Sequence, residues 1–140
     1  MGGWMSWRDS APELVQNDLD GLLDTALSLA EQHLAERGGF FPFAMTVGLD
    51  GRVNVVNAVA EDAQTAKQCA VEALRSMRRR IRAAAVVVDV AVPASGSSGI
   101  EVHLEYAEGP AIGVLEPYAV RGGNVSVGAL EGYRTEPVIW

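Results

Sequence analysis

His33-Leu34-Ala35-Glu36-Arg37-Gly38-Gly39-Phe40-Phe41-Pro42-Phe43-Ala44-Met45-Thr46-Val47-Gly48-Leu49-Asp50-Gly51-Arg52-Val53-Asn54-Val55-Val56-Asn57 joins a helix end, a glycine stop, an aromatic-rich strand and a returning strand in one run. Gly38 suits the left-handed cap that closes a helix, a conformation that costs other residues roughly 1–2 kcal/mol. Asp50-Gly51 between apolar runs is the strongest short hairpin signal, and it predicts a two-residue turn. In that register Phe43, Met45, Val47 and Leu49 share a face with Val56 and Ala58, while Ala44, Thr46 and Gly48 face Val53, Val55 and Asn57. The bulkier first set is expected against the helices. The second face, with its two valines, is left for another subunit.

Upstream, Ser10-Ala11-Pro12-Glu13 fits a capping box with Pro in the first turn. Val15, Leu19, Leu22, Leu23, Ala26, Leu27, Ala30 and Leu34 then recur at helical spacing, so the first helix is expected over about 11–37, with Gly21 its weak point. Downstream, Ala66, Cys69, Ala70, Ala73, Leu74, Met77 and Ile81 form one stripe of a second helix expected from Asp62 to about Arg82. Ala83 to Val92 reads as a buried strand, and Ile100 to Ala107 as an alternating one with Glu101, His103 and Glu105 toward solvent. A further strand spans Ala111 to Val120, where Pro117 argues for an edge position or an early end. The tail holds Val125-Ser126-Val127 and Val138-Ile139-Trp140, short stretches suited to pairing or to docking on a neighbour.

The order predicts one domain over residues 1–140. Its class is α+β: an antiparallel sheet of about five strands, two helices on one face, order α-β-β-α-β-β-β, and an irregular C-terminal tail. That order resembles profilin-like domains of the roadblock type, which carry a helix, a hairpin with an Asp-Gly-type turn, a helix and three more strands. The likeness runs from roughly Leu22 to Val120 and is one of topology.

Composition narrows the function. The 140 residues are 49% apolar, enough for one core that buries about two thirds of the unfolded surface. Eleven basic against 18 acidic residues give a net charge of −7, which repels nucleic-acid phosphates and anionic lipid over most of the surface. Neither nucleic acid nor membrane is an expected partner. The first residues lack a basic region followed by an apolar core, and the longest apolar stretch, Ala83 to Val88, is far too short to span a bilayer. Cys69 is the single cysteine and reads as a small buried core residue. A thiol-only chain suits a reducing compartment, so the expected location is cytoplasmic.

Candidate chemistry is sparse. With only His33 and His103, no Gly-x-Ser-x-Gly elbow and no phosphate loop, the sequence argues against an enzyme and calls for no cofactor. Glu101, His103 and Glu105, joined by Asp89 of the preceding strand, are residue types that bind divalent metals, yet the same pattern describes any solvated strand face. The Arg cluster is the better anion site: Arg75, Arg78, Arg79 and Arg82, flanked by Arg80, lie on the solvent side of the second helix near its C-terminus. These residues are the candidate docking site for an acidic protein partner. Trp4, Trp7 and Trp140 near the two ends are expected to fold back or to pack across a dimer. The preferred reading is a non-enzymatic protein-binding module and homodimer, of the small acidic kind that immunity proteins and secretion chaperones represent. The alternative is a small-molecule-binding or hydrolytic domain with a pocket near Phe41, Phe43 and Tyr106.

Overall fold

A computed structural model describes residues 12–57, 60–92 and 97–140. Its elements are α1 (Glu13–Arg37), β1 (Phe43–Gly48), β2 (Val53–Asn57), α2 (Ala63–Met77), β3 (Ile81–Val92), β4 (Ser97–Tyr106), β5 (Ala111–Arg121), β6 (Asn124–Val127) and β7 (Glu131–Arg134). The fold is α+β in the expected order. The sheet, however, has seven antiparallel strands in the order β2-β1-β3-β4-β5-β6, with β7 also on β5, because the tail expected to be irregular supplies two strands. Pro117 sits inside β5 rather than at an edge. Its carbonyl accepts from the Gly128 N–H on the outer side, so its missing N–H faces the β6/β7 side and no bond to β4 is lost. Opposite it the chain bulges at residues 128–130, which separates β6 from β7.

The two helices cover opposite faces of the sheet, not one. Residues Ala83, Ala85 and Val87 point to the α1 side, where Leu19, Leu22, Ala26, Leu34, Phe43, Met45, Val102, Leu104 and Ile112 complete the main core. Residues Ala84, Val86 and Val88 point the other way, toward Ala70 and Leu74 of α2, with Ala44 and Ile139. A strand that is apolar at every position has two faces to bury, and each fully covered Leu or Ile contributes about 1.5–3 kcal/mol. One helix per face is the consequence.

α1 begins at Glu13 with Pro12 at the cap and no side-chain cap bond; Ser10 lies outside the described residues. Its C-terminus closes as expected, with Gly38 at φ 78° and its N–H on the Leu34 carbonyl at 2.8 Å. Asp62 caps α2, its carboxylate accepting from the Thr65 N–H at 2.8 Å and from the Thr65 hydroxyl at 3.1 Å. α2 is shorter than expected: it ends at Met77, the Arg80 N–H turns back onto the Met77 carbonyl, and Ile81 already belongs to β3. Only Ala66, Ala70 and Leu74 are fully buried on it, at steps of four. Cys69, a residue off that line and so about 100° around the helix, is exposed rather than in the core.

The hairpin also departs from its expected turn. The Gly51 N–H bonds the Gly48 carbonyl, the Gly48 N–H bonds the Arg52 carbonyl, and Val53 pairs with Val47, which makes a three-residue loop with a glycine bulge. Gly51 takes φ 85° while Asp50 keeps negative φ, since its side chain accepts from the Arg52 N–H at 3.0 Å. The extra residue flips β2: Val53, Val55 and Asn57 now lie on the face of Phe43, Met45 and Val47, and Asn54 and Val56 on that of Ala44 and Thr46. Leu49, expected in the core, is 64% exposed in the loop. Ala58 lies outside the described residues.

Candidate functional site

α2 covers the second face only over β1 and β3, so a cleft of about 920 Å³ opens between the helix and strands β4 and β7. Gln64, Lys67, Val71 and Arg75, three or four residues apart, form the helical wall; Glu101, His103, Tyr133 and Thr135 form the opposite one. Val86 and Val138 supply the apolar lining between them.

The inner end of this region is built around Glu105. Glu101, His103 and Glu105 share the second face, as the alternation of β4 requires, but Glu105 is 1% exposed rather than solvated. His103 Nε2 lies 2.6 Å from Glu105 Oε2, and the main-chain N–H groups of Val138, Ile139 and Trp140 all donate to the same carboxylate at 2.7–3.2 Å. Successive N–H groups converging on one anion form a nest. Burial opposes ionisation of this carboxyl, yet the bonds from His103 and from the N–H groups of 138, 140 and 139 outweigh it and hold Glu105 below the usual carboxylate range. Glu101 accepts from the Tyr133 hydroxyl at 3.0 Å; burial first, then Glu101, pushes Tyr133 up to about 12. The expected third acid, Asp89, is absent from this face. Asp89 pairs with Ile100 and points to the α1 side, where the Tyr118 hydroxyl donates to it. Among the described residues, no three or more His, Cys, Asp or Glu side chains are grouped to hold a metal ion.

The four arginines of the predicted docking site are not one patch. Arg75 Nε donates to the Val138 carbonyl at 2.5 Å and Arg78 Nη1 to the Ile139 carbonyl at 3.3 Å, so both grip the chain's own segment 138–140. Arg82 is on β3 and reaches the α1 side, where Nε and Nη2 meet the two Asp18 carboxylate oxygens at 2.8 and 3.0 Å. Arg79 is exposed in the turn after α2, beside Arg80. Trp140 folds back onto the second core; Trp4 and Trp7 lie outside the described residues. Nor do Phe41, Phe43 and Tyr106 share a pocket. Phe41 is 53% exposed, Phe43 is buried opposite Val87, and Tyr106 lies opposite Ala83, four positions along the same strand, with its hydroxyl on Asp18.

A second buried carboxyl lies on the first face, beside another acid. Glu116 of β5 is 6% exposed and meets Glu31 of α1; burial, then the bond and like charge of Glu31, push Glu116 up to about 7. The residues the sequence reading missed are Lys67, Tyr133 and the 138–140 segment. The Glu101-His103-Glu105 alternation marked a polar face, but nothing local said that main-chain donors would return to cover it.

No family model matches this chain, and neither a curated protein nor a solved structure does. The roadblock-like order of elements therefore stays an expectation from the sequence. Among the described residues, no helix is long and apolar enough to cross a membrane.

Proposed function

We propose that this protein is a non-enzymatic, cytoplasmic protein-binding module that works as a homodimer and receives an acidic protein partner along α2. One observation carries the partner side. In a chain of net charge −7, the stretch from Lys67 to Arg80 holds five cations, Lys67, Arg75, Arg78, Arg79 and Arg80, against Glu72 alone, and it borders the cleft. A concentrated positive field on an acidic protein steers an acidic surface to one place and repels it elsewhere. Arg75 and Arg78 already hold the 138–140 segment, so Lys67, Arg79 and Arg80 are the cations left for a partner. His103 is committed to Glu105, which favours binding over catalysis.

The test is site-directed photo-crosslinking of the full chain in its source cell, with a photoreactive residue at Gln68 on the cleft and, as control, at exposed Gln32 on α1. The expected result is recurrent capture of one acidic protein from position 68 and not from 32, lost in Arg79→Gln/Arg80→Gln. Equal capture from both positions, or none, overturns the reading.

A further inference from the structure

The two ends of the sheet are protected very differently. Along the far edge, β6 and β7 are interrupted by the bulge at 128–130, and β7 carries Glu131 and Arg134. These are ordinary devices against strand addition. β2 forms the opposite edge and has none of them: Val53-Asn54-Val55-Val56-Asn57 contains no charge, no Pro and no bulge. Val53 and Val55 are 51% and 44% exposed.

Main-chain direction along β2 follows from the loop. The Gly48 N–H bonds the Arg52 carbonyl, so Arg52, Asn54 and Val56 turn their main-chain groups toward β1, and Val53, Val55 and Asn57 turn theirs outward. We infer, on the homodimer reading above, that β2 pairs antiparallel with β2 of a second copy with Val55 on the two-fold axis. In this register Val53 meets Asn57 of the second copy, Val55 meets its own equivalent, and every outward group is used, giving about six main-chain hydrogen bonds. The exposed valines of both copies then lie side by side on the α1 face, because directly opposed residues of an antiparallel pair share a face. Charge agrees with this arrangement. Two copies of net charge −7 repel, and an uncharged strand is where they approach at least cost. The same register carries Arg52, whose side chain is 85% exposed, toward the far end of the partner strand, beyond which Glu61 and Asp62 follow. An isologous contact of this kind closes on itself, which limits the assembly to two.

Two measurements on the full chain test the register. Sedimentation at micromolar concentration should show a dimer, and Val55→Lys, with circular dichroism confirming the fold, should raise its dissociation constant by about tenfold or more, since it sets two like charges directly opposite. In a Cys69→Ser background, Val55→Cys should form a disulfide-linked dimer under mild oxidation while Val127→Cys on the far edge does not. A dimer that neither weakens in Val55→Lys nor links through position 55 overturns the β2 pairing and leaves the homodimer reading standing. A chain that stays monomeric at these concentrations overturns both.

Discussion

Ile139 N–H reaches both carboxylate oxygens of Glu105, at 3.2 and 3.1 Å, across 34 residues of sequence. This contact ties the end of the described chain to the middle strand of the second face. Replacing Glu105 with Gln keeps the shape but puts an NH₂ where several donors converge, and an unmatched buried donor costs about 1–3 kcal/mol. We expect Glu105→Gln to lose about 2–4 kcal/mol in urea denaturation, with the amides of 138–140 exchanging far faster than in the parent. Unchanged exchange there would show that the carboxylate does not hold the segment.

The Glu31–Glu116 pair makes stability fall with rising pH. Glu116 is raised to about 7 in the folded state, above the ordinary carboxyl value it takes when unfolded, so the folded protein binds more protons between those two values. Stability from this pair is present in full below about pH 4.5, declines as pH rises toward 7, and changes no further above it. Thermal melts from pH 5 to 8 should show this decline in the parent and not in Glu116→Gln. An equal slope in both proteins would exclude the pair as its source.

Tyr133 lies over Gly113, where an added Cβ would come within 2.2 Å of the ring. Gly113→Ala therefore displaces Tyr133, breaks its bond to Glu101 and loosens β7 from β5. The phenol should titrate nearer its ordinary value of about 10 than the value of about 12 to which burial and Glu101 push it in the parent, read by ultraviolet absorbance, with a loss of about 1–3 kcal/mol for the overpacked site.

Gly21 and Gly38 answer oppositely to the same change. Gly21 is exposed within α1, with nothing near its missing Cβ, so Gly21→Ala should stabilise by about 0.5–1 kcal/mol. Gly38 holds φ 78° at the helix end, and Gly38→Ala should destabilise by about 1 kcal/mol or more. A shift of the same sign for both, measured by thermal denaturation, would contradict the helix bounds.

Local rules were sufficient for much of this chain. The spacing from Val15 to Leu34, the glycine stop at 38, the helical stripe that follows Asp62 and the run from Ala83 to Val88 each depend on neighbours within a turn or a strand, and so the α+β class and the order of the first seven elements were legible in the sequence alone. The turn at Asp50-Gly51 was visible as a turn but not as a three-residue one, because the Asp50 side chain's bond to Arg52 competes with the two-residue form, and one residue of register exchanges the faces of β2. Contacts between distant segments had no local signature. That α1 and α2 take opposite faces, that Glu105 is buried by N–H groups from 138–140, and that Arg75, Arg78 and Arg82 are spent within the molecule were decided by tertiary structure, since a charged side chain looks the same in sequence whether its partner is water, another protein or a segment more than sixty residues away.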